Sequence, residues 1–170
     1  VEQLRQQEGA PTSDLAAIVR AVVLDLSPLL AEKNLDFEID SVPAMVRAHD
    51  WMLRELTRNL LHNAIKHAPA GSHLAARVAL AQACAVLTVS DAGTGISEEQ
   101  RNRLFQPFSA GNNHSGSGLG LAICQEIVLA LGGSITLHNR IEGSRVTGLN
   151  AVVNLPLAGA LTEEHGQAEN

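Results

Sequence analysis

Asn59, Asn63 and Lys66 recur at spacings of four and three. Behind them, in order, stand Asp91-Ala92-Gly93-Thr94-Gly95-Ile96, Phe105-Gln106-Pro107-Phe108 and Gly116-Ser117-Gly118-Leu119-Gly120-Leu121. This ordered set constrains the fold more than any bulk property does. The first spacing puts three polar side chains on one face of a helix. The second stretch follows Val86, Leu87 and Val89, so an acid and two glycines close an apolar strand. The last stretch sets three glycines at the head of an apolar helix. A chain carrying all of them needs a helix face, a strand end and a helix start in one fold.

At 170 residues, with 45% hydrophobic content, the chain suits one domain around one aliphatic core. Thr12 or Ser13 can cap a helix reaching about Glu32, with Leu15, Ile18, Val19, Val22, Leu26 and Leu29 as its stripe. Pro28 should bend or weaken that helix. Leu35, Phe37 and Ile39 alternate with Asp36, Glu38 and Asp40 as a half-buried strand. A short strand near Met45 and Val46 is expected to pair with it. Asp50 is the expected cap of the helix carrying Asn59, Asn63 and Lys66, which ends before Pro69. Two tightly connected strands follow at about residues 74–80 and 84–90. Ser97-Glu98-Glu99-Gln100 has the pattern of a capped helix start. A helix after Gly118 is stopped by Gly132-Gly133, and a hairpin of residues 134–139 and 149–155 closes the domain. Hairpins rather than regular crossovers predict an α/β (α+β) two-layer sandwich, with one mixed sheet covered on one face by about three helices. Residues 1–11 read as the end of a helical segment and its linker, residues 12–157 as the folded domain, and residues 158–170 as a polar, disordered tail.

The chemistry of these residues is specific when they are taken together. An Asn carbonyl is a hard oxygen ligand, suited to a magnesium ion also held by phosphate oxygens. Lys66 offers a point charge for phosphates. Alone, the triplet reads more readily as a solvated helix face. Asp91 can accept a hydrogen bond from the exocyclic amine of adenine, which guanine cannot supply. Gly93 and Gly95 let the backbone approach a base without a Cβ clash, although any strand-ending turn favours the same residues. The glycines before the last helix suit phosphate oxygens at its positive end. Phe105 and Phe108 are two of the chain's few aromatics (three Phe, one Trp, no Tyr) and read as anchors for the segment between the last two stretches.

With these residues in view, the chain resembles the ATP-binding catalytic domain of bacterial two-component sensor histidine kinases, in the GHKL ATPase superfamily. The four stretches match that family's N, G1, F and G2 boxes, and the resemblance covers about residues 12–157. It implies a Bergerat-type ATP-binding fold with ATP and magnesium as ligands. It implies Asn63 as the magnesium ligand with Asn59 in support, and Lys66 and His67 facing the phosphates or the sugar. It places Asp91, Gly93, Gly95 and Ile96 at the base, and Gly116, Ser117, Gly118, Leu119 and Gly120 at the phosphates. Asn59 stands where hydrolysing relatives usually carry a water-activating Glu. An amide accepts no proton at neutral pH, so this site looks built to hold ATP for another nucleophile. Glu55, one turn earlier, can orient an incoming group, or is simply a surface Glu.

The implied reaction is transfer of the γ-phosphoryl group to a His on a separate helical dimerisation domain, for relay to a response regulator. The full-length protein is then expected to be a membrane-anchored homodimer, with this domain on the cytoplasmic side of the inner membrane. Two other readings stay open: a GHKL serine kinase of the anti-sigma-factor type, and a nucleotide-binding module without transfer activity. The fragment alone is not expected to autophosphorylate. Its one His-Asp pair, His49-Asp50, has Arg54 where the family's phosphoacceptor motif has Pro.

A net charge of −6 argues against nucleic acid as a partner. Cys84 and Cys124 lack metal-ligand spacing and read as two buried free thiols. No apolar run has the length of a membrane span and no signal peptide opens the sequence, so this fragment is expected to be soluble. One departure from the family stands out: residues 109–115 contain no Arg or Lys, and only His114 there can become cationic. His49, His62, His73, His138 and His165 do not cluster in the sequence.

Overall fold

The computed structural model describes residues 11–104 and 117–159. The Phe105-Gln106-Pro107-Phe108 stretch, the lysine- and arginine-free segment after it, and Gly116 lie outside the described residues. In chain order the elements are β1 (Thr12–Asp14), α1 (Leu15–Asp25), α2 (Ser27–Glu32), β2 (Asp36–Ser41), β3 (Met45–Arg47), α3 (Asp50–His67), β4 (His73–Ala81), β5 (Cys84–Asp91), α4 (Glu98–Leu104), α5 (Ser117–Ala130), β6 (Ser134–Glu142) and β7 (Arg145–Pro156).

The main sheet has five strands in the order β2-β4-β5-β7-β6. Its β2–β4 pair is parallel and the other pairs are antiparallel. Alternation along the strands sends Leu74, Ala76 and Val78 of β4, Ala85, Leu87 and Val89 of β5, and Leu149, Ala151, Val153 and Leu155 of β7 to one buried face. Three helices cover that face: α1 over β4, α3 over β5 and α5 over β6. They contribute Leu15, Val19, Val22, Leu53, Leu56, Leu61, Leu121 and Val128 to the core. Each fully buried aliphatic side chain of this kind stabilises the fold by about 1.5–3 kcal/mol. The mixed two-layer sandwich expected from the sequence is the observed architecture. Its mixed character comes from a single crossover, in which the chain leaves β2, passes through α3 and returns on β4 parallel to it.

Several local expectations are corrected. The first helix is capped by Asp14, not by Thr12 or Ser13, and those residues form a strand. The Asp14 carboxylate accepts from the backbone N–H of Ala16 at 3.1 Å and of Ala44 at 2.9 Å, so one side chain caps the helix and ties in a distant loop. The helix breaks at Leu26, and Pro28 sits in the first turn of α2, where a missing N–H costs nothing. β3 pairs with β1 rather than with β2, and the edge of β2 carries charged Asp36, Glu38 and Asp40. Asp50 is the first residue of α3 rather than its cap; the cap position is His49, and the Asp50 carboxylate accepts from the Ser13 hydroxyl. Cys124 is buried as expected, whereas Cys84 is only half-buried. The Ser97–Gln100 capping box does form, with Ser97 N–H to Gln100 Oε1 at 2.9 Å and Gln100 N–H to Ser97 Oγ at 3.1 Å. Among the described residues, no helix is long and apolar enough to cross a membrane.

Candidate functional site

Helix α3 turns Leu53, Leu56, Leu60, Leu61 and Ala64 into the core and leaves Glu55, Asn59 and Asn63 half-buried along another face. The Asn59 side-chain amide donates to the Glu55 carbonyl at 2.8 Å and, more weakly, to Glu55 Oε1 at 3.3 Å. Its Oδ1 is thereby directed at α5, where a Cβ on Gly120 would stand 3.2 Å away. Gly120 is the point at which the glycine-led helix meets the polar face of α3. One turn on, Asn63 Oδ1 is buried with no hydrogen-bond partner among the described residues. Leaving such an acceptor unsatisfied costs about 1–3 kcal/mol, unless a donor or a cation completes it. At the helix end, Lys33 Nζ donates to the carbonyls of Ile65, Lys66 and Ala68 at 2.7, 2.9 and 2.9 Å. This places a cation on the negative end of the α3 dipole.

The 91–96 loop starts beside that helix end. Asp91 is 3% exposed at the end of β5, and its Oδ1 accepts from the Gly93 N–H at 2.8 Å. Burial pushes the Asp91 carboxyl above its usual range, against the Gly93 amide, His67, the Leu149 amide and Arg140, which hold it down. Burial pushes His67 below its usual range; Asp91 opposes that shift, while Lys66 and Lys33 add to it. A Cβ on Gly93 would lie 2.7 Å from the His67 carbonyl oxygen, so α3 and the loop touch backbone to backbone. The loop therefore brings His67, Asp91 and Gly93 together, and α5 brings Gly120 to Asn59. Ser117, Gly118 and Leu119 form the first turn of α5.

Residues 50–159 match the family described as "Histidine kinase-, DNA gyrase B-, and HSP90-like ATPase". The chain belongs to this ATPase family. The swarming motility regulation sensor protein RssA of Serratia marcescens is 33% identical over 147 residues, which is 84% of this chain and 31% of that protein. The solved structure of the mycobacterial sensor histidine kinase MprB is 26% identical with a TM-score of 0.76, over 87% of this chain and 97% of that one. Full-length ShkA in complex with AMPPNP shares the fold at a TM-score of 0.74 and 24% identity, over 88% of this chain and 31% of that one. The chain thus spans about a third of the length of the curated relatives it matches, 31% in the case of RssA.

As a domain of this family the chain binds a nucleotide, and the donor set bears on whether a cation fits with it. Among the described residues no group of three His, Cys, Asp or Glu side chains is arranged to hold a metal. The unpartnered Asn63 oxygen is the kind of single hard ligand that suits a cation otherwise held by phosphates.

The sequence motifs do not include the residues that support this loop and the helix end. Asn139 and Arg140 of β6, Gly148 and Asn150 of β7, and Lys33 all contact the loop, its supports or the end of α3. Two signals were present. Asn139-Arg140 interrupts the alternation of Ile135 and Leu137, and Gly148 sits inside a strand, where glycine often marks a close backbone approach.

Proposed function

We propose that this chain is the ATP-binding catalytic domain of a two-component sensor histidine kinase, which holds Mg-ATP and presents the γ-phosphoryl group to a His on a separate helical domain. The observation that carries this reading is Asn59. Its amide lies on the site face of α3, bonded to Glu55 and pressed against Gly120, where a hydrolase would need a base. An amide cannot take a proton from water at neutral pH. The site is then fitted to retain ATP until a better nucleophile arrives.

In this reading each residue has a defined task. Asp91 accepts from the exocyclic amine of adenine, with Gly93, Gly95 and Ile96 shaping the loop around the base. Asn63 Oδ1, supported by Asn59, would hold magnesium, which would neutralise triphosphate charge. Lys66 and His67 face the phosphates or sugar, and the helix start of Gly116, Ser117, Gly118, Leu119 and Gly120 supplies amides to phosphate oxygens. Glu55 orients the incoming imidazole. Its nitrogen forms the N–P bond as the bond to the ADP oxygen breaks, and catalysis is chiefly positioning and charge stabilisation. The relatives' names support a sensor protein. The whole protein would be a membrane-anchored dimer, with this domain in the cytoplasm and a response regulator as its phosphate acceptor.

Radiolabelled Mg-ATP tests the proposal. The chain alone should bind it, release phosphate very slowly and carry no label. Adding a helical phosphoacceptor domain should transfer acid-labile label to that domain in trans. Rapid phosphate release, or acid-labile label on this chain by itself, contradicts the mechanism. Acid-stable label on a partner points to serine transfer, and binding without any transfer points to a sensing module.

A further inference from the structure

Both ends of the 91–96 loop are held from one dipeptide on β6. Arg140 Nη2 donates to the Asp91 carbonyl at 2.6 Å, where the loop begins. Asn139 brackets the Ile96 peptide, where the loop ends: Oδ1 accepts from Ile96 N–H at 2.9 Å, and Nδ2 donates to Ile96 C=O at 2.7 Å. Arg140 is itself fixed through Nη1 to Asn150 Oδ1 at 2.8 Å. Neighbouring residues on a strand normally point to opposite faces, but the β6–β7 register shifts immediately after Arg140. Two glycines make room for the clamp. A Cβ on Gly95 would overlap Asn139 Oδ1, and one on Gly148 would overlap both the Asp91 carbonyl and the Arg140 guanidinium.

We propose that Asn139 and Arg140 are positioning residues that set the base preference of this site by pinning the end of β5 at Asp91 and the far end of the loop that follows it. The inference rests on the reading of Asp91 as the adenine acceptor. A loop with two glycines has wide backbone freedom when its ends are loose. A mobile acceptor discriminates weakly, because it retreats from a guanine carbonyl instead of leaving two acceptors face to face. A fixed one imposes the full cost of an unpaired polar group on the wrong base. The clamp is therefore worth more to ATP, which gains a preorganised partner, than to GTP, which never gains that bond. A merely structural tie would weaken the fold and both nucleotides alike.

The test is calorimetric titration of ATP and of GTP against the unaltered chain, Asn139→Ala, Arg140→Ala, Arg140→Lys and Asp91→Asn. Each protein is also melted, and amide exchange at Ile96 is followed. The unaltered chain should prefer ATP. In Asn139→Ala and Arg140→Ala, ATP affinity should fall on the order of tenfold, the size of one lost hydrogen bond, while GTP affinity holds or rises. Arg140→Lys should recover part of the loss, because one donor still reaches the Asp91 carbonyl. Ile96 exchange should quicken in Asn139→Ala while the amides of α3 stay protected. If Arg140→Ala does not fold, Asn139→Ala and Arg140→Lys carry the comparison. An unchanged ATP-to-GTP ratio in folded variants, with Asp91→Asn still losing ATP, overturns the clamp and leaves the site assignment standing. Undiminished ATP binding by Asp91→Asn overturns the underlying assignment, and the clamp with it.

Discussion

Two glycine-bearing loops leave the same end of the sheet, and their surroundings differ completely. In the 91–96 loop, backbone meets backbone: Gly93 lies under the His67 carbonyl, and Gly148 on the neighbouring strand lies against the Asp91 carbonyl. At the β6–β7 tip, nothing comes within 4 Å of the position a Cβ would take on Gly143, which is glycine only for its φ of +66°. The turn glycine satisfies its own conformation. Gly93 and Gly148 satisfy their neighbours instead, and through them the position of a buried carboxylate. Composition does not separate the two cases, but the space around each Cβ does.

The largest effect is expected at Gly148. An alanine there must part the Asp91 carbonyl from the Arg140 guanidinium, so Gly148→Ala should lower the unfolding free energy by about 3 kcal/mol, the upper part of the usual overpacking range. Denaturant titration measures it, and a loss under about 1 kcal/mol would mean the strands yield easily there.

Asp91→Asn should show the next largest effect, and in opposite directions for binding and stability. ATP should bind more weakly by about 1.5–3 kcal/mol, the scale of a hydrogen bond to a charged group. Stability should hold or rise. Burial raises the folded Asp91 pKa above its unfolded value, so the folded state holds the proton more tightly. Stability from this group is therefore lost as pH rises through that window, and the ionised form is a cost the amide does not carry. ATP affinity should run the other way and fall as pH drops through the raised pKa, because a protonated Asp91 is a poorer acceptor. Thermal melts and titrations at several pH values check both signs.

The smallest effect belongs to the tip. Gly143→Ala should cost about 1–2 kcal/mol for a left-handed residue and leave ATP affinity untouched. A change in ATP affinity would show that the tip is coupled to the site.

How far the sequence could be read follows the same division. α3, β4, β5, α5 and the Ser97–Gln100 cap were legible because periodicity and caps are local signals. The β1–β3 pairing was not, because strands as short as Thr12–Asp14 and Met45–Arg47 carry no information about their partner. It depends instead on the Asp14 carboxylate reaching the Ala44 amide across the chain. Of the residues proposed for the site, Asn59, Asn63, Asp91, Gly93, Gly95 and Gly120 stood out as side-chain chemistry or glycine spacing. Asn139 and Arg140 were not, because they hold backbone groups from a strand distant in sequence, and backbone groups leave no mark on composition.

On this reading the polar face of α3 and the 91–96 loop form one Mg-ATP site. It is tested most directly by titrating ATP, with magnesium and with EDTA, into the unaltered chain and into Asn63→Ala, with the melting midpoint of each recorded. Magnesium-dependent binding is expected in the unaltered chain, and loss of that dependence in Asn63→Ala with the fold intact. The same magnesium-dependent affinity in both proteins would contradict it.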